Sequence, residues 1–156
     1  MNHCGLTAQT AATVIWISIN KANEVCNEMG LDAISTPCTI AAAMELYEKG
    51  LITDEDCNGV PLKWGSKEAI VTWTEWMGLG SNPLAKLMAD GSYRLCQHYG
   101  VPELSMSVKK QEIPAYDARA IQGIGITYAT SNRGWLPCAR LYDLSGSIGL
   151  AGTVRP

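Results

Sequence analysis

Proline and glycine fall in this chain as single punctuation marks between runs of helical periodicity, and no other feature restricts the fold as much. Thr36-Pro37 and Asn82-Pro83 each set a proline after a side chain that can accept an orphan backbone N–H. Proline suits the first helical position because it has no N–H to leave unpaired and its φ is already fixed. Gly30, Gly50 and either Gly78 or Gly80 stand where helices should stop, since glycine takes the left-handed conformation of a helix end without a Cβ clash. The pattern predicts a single, mostly α unit.

The runs themselves assign the faces. Ala11 to Met29 places Ile15, Ile19, Ala22, Cys26 and Met29 three and four residues apart, one apolar stripe. A second helix is expected from Thr36, whose hydroxyl would cap it, to Lys49. It turns Ile40, Ala43, Met44 and Tyr47 inward and Glu45, Glu48 and Lys49 to water. A loop from Thr53 to Trp64 leads to Ser66, the cap of a third helix with Glu68 in its first turn and Ile70, Trp73, Trp76 and Met77 on the buried side. Asn82 and Pro83 open a fourth helix carrying Leu84, Leu87, Met88, Leu95 and Tyr99, interrupted by Gly91 at an expected close helix contact. Pro102 and Pro114 forbid continuous helix after Val101, and Val108 to Ile113 reads as a short extended segment. Gly123 to Tyr128 are expected to be helical, and the Gly-rich tail after Leu144 frayed.

Composition excludes more than it assigns. With 156 residues, 47% hydrophobic and 17% charged, the chain can build one ordinary core. A formal net charge of -3 gives no broad attraction to phosphate backbones or anionic lipid, so nucleic acid and membrane surfaces are poor partners. The apolar run Ala11 to Ile19 has no lysine or arginine before it and no small-residue cleavage site after it, so it does not read as a signal peptide. No apolar stretch reaches the roughly 18 to 20 residues needed to cross a bilayer, and a cytoplasmic location is the expectation. Cys4, Cys26, Cys38, Cys57, Cys96 and Cys138 are scattered singly, which shows no metal or cluster motif and suits buried small hydrophobes rather than disulfides. His3 and His98 read as noncatalytic, His98 as a solvated residue late on a helix.

Longer stretches carry a resemblance. Ala22-Asn23-Glu24-Val25-Cys26-Asn27-Glu28-Met29-Gly30-Leu31-Asp32-Ala33-Ile34-Ser35-Thr36 and Ala43-Met44-Glu45-Leu46-Tyr47-Glu48-Lys49-Gly50 are followed, in order, by Lys63-Trp64-Gly65, Asp90-Gly91-Ser92-Tyr93-Arg94-Leu95, Val108-Lys109-Lys110, Pro114-Ala115-Tyr116-Asp117-Ala118-Arg119 and Tyr128-Ala129-Thr130-Ser131-Asn132-Arg133-Gly134. Over roughly residues 19 to 134 the chain resembles the tungsten-containing aldehyde:ferredoxin oxidoreductase family. The resemblance implies an incomplete helical domain of that type, the second domain running into the third. The family oxidises aldehydes to carboxylic acids on tungsten held by two molybdopterin dithiolenes, a tungstopterin, and passes electrons through a 4Fe-4S cluster to ferredoxin. On that basis residues 1–18 are an unassigned segment, 19–138 the partial domain and 139–156 an unassigned Gly-rich tail.

The family's D-x-x-G-L-D stretch wraps a pterin, and here it reads Asn27-Glu28-Met29-Gly30-Leu31-Asp32. A carboxylate suits that place because the pterin's aminopyrimidinone edge presents adjacent N–H donors. Asp32 keeps this capacity, whereas Asn27 keeps one acceptor and no charge, a loss on the order of 1 kcal/mol. Arg133, after Asn132, offers a guanidinium fork for the cofactor's phosphate or carbonyl edge. The resemblance therefore implies cofactor-binding roles for Asn27, Gly30, Leu31, Asp32, Asn132 and Arg133, with no catalytic residue and no metal ligand in this chain.

Departures from the family cluster where chemistry belongs. The three closely spaced cysteines of the cluster have no counterpart, and neither has the glutamate near tungsten that precedes the first matched helix. The segment ending in Cys-His reads Asn132-Arg133-Gly134-Trp135-Leu136-Pro137, and proline cannot handle protons. Where some members bind an interfacial iron through Glu and His, this chain has Lys21 and Val71, so no iron is expected. The stretch between Trp76 and Leu84 is shorter than in the family by about one helical turn. A truncated gene product and a partial sequence both fit. The leading expectation is an enzyme fragment that is inactive alone and works with the remaining domains of its parent. The alternatives are a noncatalytic helical interaction protein and a related tungsten or molybdenum oxidoreductase with another substrate.

Overall fold

The computed structural model describes residues 3–114 together with 125, 126 and 128, with side chains from Trp16 onward. Its elements are α1 (His3–Met29), α2 (Ser35–Glu48), α3 (Lys67–Leu79), α4 (Pro83–Ala89), α5 (Ser92–His98), a 3-10 turn (Pro102–Leu104) and a two-stranded hairpin, β1 (Ser107–Val108) with β2 (Gln111–Glu112). The chain is mostly α, as its punctuation predicts. Helix α2 packs against α3, α4, α5 and β2, so it is the centre of the fold. Around it Ala43, Leu46, Leu62, Ala69, Trp73, Ala85, Met88, Leu95 and Cys96 form one buried core. None of the described helices is long and apolar enough to cross a membrane.

Several caps are those the sequence announces. Ser66 Oγ accepts from Ala69 N at 3.2 Å to start α3, and Asn82 Oδ1 accepts from Ala85 N at 2.6 Å to start α4 with Pro83 first in the helix. Gly80, at φ 63°, ends α3 and settles the choice between it and Gly78. Gly78 has a different use. A Cβ there would overlap Met29, reaching its Sδ and coming within 2.9 Å of its Cβ, so the missing side chain lets the C-terminal ends of α1 and α3 meet. Gly78→Ala sets a helix-propensity gain of about 1 kcal/mol against an overpacking penalty of about 1–3 kcal/mol. The penalty wins, because Met29 Cβ is fixed to its backbone. Urea denaturation should show a net loss of about 1 kcal/mol, with most of it recovered in a Met29→Ala background.

Four expectations need correction. The opening helix starts at His3 rather than Ala11, and its stripe is only partly covered: Ala22, Val25 and Cys26 are buried while Ile19 and Met29 are exposed. Ile19 borders an open cleft rather than a packed neighbour, and Met29 is the last residue of α1, against Gly78 near the end of α3. Secondly, Thr36 is not the cap of α2; it lies within the helix, buried, and the helix ends at Glu48 with Lys49 as its C-cap. Thirdly, Asn82 to Tyr99 is two helices. Gly91 breaks them at φ 96°, and the place of its missing side chain faces no other helix: a Cβ there would stand 3.0 Å from the Glu112 carboxylate. Finally, the extended stretch Val108 to Ile113 is a tight hairpin. Lys109 and Lys110 fill its two turn positions at φ 57° and 66°, conformations that glycine and asparagine take more readily. Lys110 Nζ sits 5.2 Å from the centre of the Tyr93 ring, an attraction that holds the turn against α5.

Of the helix expected over Gly123 to Tyr128, residues 125, 126 and 128 are helical and the others lie outside the described residues, as does the tail. Tyr128 Oη donates to Pro114 O at 3.3 Å.

Candidate functional site

The end of α1 is built by its own glycine. Gly30 takes φ 69°, which returns the N–H of Leu31 to the carbonyl of Cys26 at 2.9 Å and closes the helix. No heavy atom lies within 4 Å of the place where a Gly30 Cβ would sit, so the bend is open to its surroundings. Leu31 folds back against the core, while Asn27 and Asp32 stay exposed.

Asp32 then does the work expected of Thr36. Its Oδ1 accepts the backbone N–H of Ile34 and of Ser35, both at 2.7 Å, and its carbonyl accepts Thr36 N at 3.0 Å. The carboxylate thus satisfies two orphan donors at the positive end of α2. Its second oxygen takes no hydrogen bond among the described residues. Asp32→Ala should remove about 1 kcal/mol of stability by loss of the cap, whereas Asp32→Asn, which keeps an acceptor, should change it by a few tenths; urea melts of the two variants separate the cases.

Thr36, freed from capping, turns its hydroxyl onto the Cys26 thiol. Burial pushes that thiol above the usual range, the Thr36 bond pulls it partly back and the Asp32 charge adds to the rise. Burial likewise raises Cys38, Cys57 and Cys96, which favours the protonated form of all four described thiols and suits their packing as small hydrophobes. Among the described residues no three His, Cys, Asp or Glu side chains gather to hold a metal. The side chains of Cys4 and His3, and the whole of Cys138, lie outside the description; His98 is exposed, edge-on to Tyr99. Lys21 pairs with Glu24 at 3.2 Å, and Val71 is half-buried on α3. An ammonium and a hydrocarbon do not make iron ligands.

The same turn borders a cleft of about 550 Å³ between α1, α2 and α3. Ala33, Thr36 and Pro37 stand on the side of the bend, and Ile40, Met44, Ile70, Thr74, Asn20, Asn23 and Trp64 are among the other lining residues. Trp64 is 56% exposed, yet its indole N–H is anchored on Glu48 Oε2 at 2.8 Å. In the sequence Trp64 stands out only as the end of a loop and within a matching tripeptide, and Asn20 not at all. A bulky apolar residue directly before a glycine in a loop was the available signal for the former. Of the sequence-predicted site residues, the structure brings Asn27, Gly30, Leu31 and Asp32 together around one bend. Asn132 and Arg133 lie outside the described residues.

Known proteins match most of the length of this chain. The family described as aldehyde ferredoxin oxidoreductase, domains 2 & 3, matches residues 8–141. The tungsten-containing aldehyde ferredoxin oxidoreductase of Thermococcus kodakarensis is 51% identical over 118 residues, covering 75% of this chain and 19% of that protein. Its namesake from Pyrococcus furiosus is 52% identical over 118 residues, with the same coverage of 75% and 19%. A third relative, the aliphatic sulfonate oxidoreductase, WOR-like subunit, of Pyrococcus furiosus, is 35% identical over 68 residues, 44% of this chain and 11% of its own. The chain thus spans about a fifth of the length of the first two relatives.

Proposed function

This chain belongs to the aldehyde ferredoxin oxidoreductase family, and from that premise we propose that its Gly30–Asp32 bend forms part of the pterin-facing wall of a tungsten-dependent enzyme that oxidises aldehydes. One observation carries the reading: the Asp32 carboxylate is exposed and held by two backbone N–H groups through one oxygen, and the other takes no hydrogen bond among the described residues. A fixed, charged acceptor beside a bare glycine backbone fits the donor edge of a flat, nitrogen-rich ring. Asn27 offers a weaker neutral contact, and Asn132 and Arg133 are proposed to approach the cofactor's phosphate or carbonyl edge. When bound, the tungsten pterin would supply the two-electron redox centre.

The chain's own residues hold and orient; none of those described is placed to move a proton. The remaining domains of the parent are proposed to provide the 4Fe-4S ligands, the ferredoxin contact and the rest of the aldehyde pocket, so the isolated chain should not reduce a viologen dye when given an aldehyde. The direct test replaces the matching 118-residue stretch of the Pyrococcus furiosus relative with that of this chain and measures pterin and tungsten per polypeptide. The chimera should retain both. Within it, Asn27→Asp should tighten pterin retention about fivefold, equivalent to about 1 kcal/mol, and Asp32→Asn should weaken it while leaving the melting temperature within a degree or two. Full pterin retention by an Asp32→Asn chimera would remove the proposed contact.

A further inference from the structure

Two methionines of the described residues can be reached from solvent, and one of them holds two helices together. Met44, Met77 and Met88 are buried in the core, whereas Met29 is 37% and Met106 70% exposed. Met106 precedes the hairpin and has no place in the buried core. Met29 differs. Its side chain fills the space where a Gly78 Cβ would stand, with Met29 Cβ at 2.9 Å from that place, Cγ at 3.0 Å and Sδ nearer still. The thioether therefore lies flat against the bare backbone of α3, a contact suited to a soft, apolar sulfur. Met29 is also the last residue of α1, one position before the glycine whose bend leads to Asp32 and the start of α2. A change at this sulfur thus acts on the junction of three helices, and Met106 offers a control in the same chain.

We propose that Met29 is a peroxide-sensitive modification site, whose conversion to the sulfoxide frees the end of α1 from α3 and loosens the bend that follows. In the reaction the thioether sulfur takes one oxygen atom from hydrogen peroxide. The O–O bond breaks, water leaves, and sulfur loses the two electrons that the peroxide gains. The product carries a polar, accepting oxygen on a sulfur pressed against Gly78. Gly78 lies inside α3, so its N–H is committed to the helix and cannot bond that oxygen. Hydration of the sulfoxide then favours a side chain swung out to water, which empties the space over Gly78. Methionine sulfoxide reductases undo the change, so the site is reversible. The inference rests on this contact and not on the function proposed above.

Dilute hydrogen peroxide added to the 156-residue chain, with peptide mass spectrometry, should oxidise Met29 and Met106 at least about tenfold faster than Met44, Met77 or Met88. Two variants, both keeping Met1, separate the exposed sulfurs. Met106→Leu, left with Met29, should lose about tenfold in its folding equilibrium constant on oxidation, read by urea denaturation, and hydrogen exchange across residues 29–35 should quicken. Reductases A and B together should restore it. Met29→Leu, left with Met106, should show neither change. Met29→Gln sets a polar group in the same place without any oxidant; it should reproduce the loss, and it decides the matter if Met29→Leu does not fold. The proposal is overturned if Met29 oxidises no faster than the core methionines, if its sulfoxide leaves stability and exchange unchanged, or if peroxide destabilises Met29→Leu equally.

Discussion

Replacing Trp73 with alanine should remove about 4–6 kcal/mol of stability, enough to leave a domain of ordinary stability largely unfolded. Trp73 has no exposed surface and lies on α3 where that helix meets the core around α2. Loss of a buried tryptophan leaves a cavity and forfeits burial worth about 3–5 kcal/mol. A second contribution comes from its indole N–H, which donates to the carbonyl of Val60 at 3.0 Å. That bond ties the irregular loop before α3 to the helix, and its removal orphans a carbonyl at about 1–3 kcal/mol. The edge-on contact with Trp76, 5.0 Å between ring centres, is lost as well. Trp73→Phe should fall between, near 2 kcal/mol, because it keeps an aromatic ring but not the donor. The check is urea denaturation followed by far-ultraviolet circular dichroism. A loss below about 1 kcal/mol for the alanine variant would mean that α3 does not anchor the core.

Glu112→Leu should cost about 3 kcal/mol although it replaces a charge with a hydrocarbon. Glu112 is 5% exposed, and its Oε1 accepts both the backbone N–H of Ser92 at 2.7 Å and the Ser92 hydroxyl at 2.8 Å. The carboxylate therefore caps α5 from a strand 20 residues away, and the Ser92, Ser105 and Ser107 hydroxyls extend the chain of bonds at 2.8 and 2.7 Å. Leucine would leave the buried Ser92 N–H unpaired, at about 1–3 kcal/mol, force the Ser92 hydroxyl to turn to Ser105 and break the bond chain, and return only about 1 kcal/mol by apolar burial. Glu112→Gln keeps an acceptor carbonyl and should lose about 1 kcal/mol. Limited trypsin digestion gives a second readout, since Lys109 and Lys110 form the hairpin tip: cleavage there should accelerate in the leucine variant and change little in the glutamine one. Equal stability of the two variants would show that the hydrogen bonds, and not the shape of the side chain, are dispensable.

Glu112 also marks how far the sequence could be read. Ser66, Asn82-Pro83 and Gly80 act through neighbours within four residues, so their roles were legible from spacing alone. Asp32 stands in plain view as a candidate ligand, but the spacing points to Thr36 as the cap of α2, because Asp32, Ser35 and Thr36 all crowd the start of that helix and only the backbone path chooses among them. Gly91 was recognisable as special and misread as a helix contact, since the carboxylate that fills the space of its missing Cβ comes from another element. Of the candidate site, the bend at Gly30 to Asp32 was visible as a matched word. The cleft was not, because Asn20, Trp64 and Ile70 share it only after three elements are assembled.

By itself, the sequence determined which segments are helices, where most of them begin and end, and the family to which the chain belongs; these rest on hydrogen bonds closed within a turn and on words of neighbouring residues. Tertiary structure alone decided which apolar faces are covered, that α4 and α5 part at Gly91, and that a hairpin carboxylate seals α5. Burial and long-range pairing depend on where distant segments arrive in space, and periodicity along a chain carries no record of that.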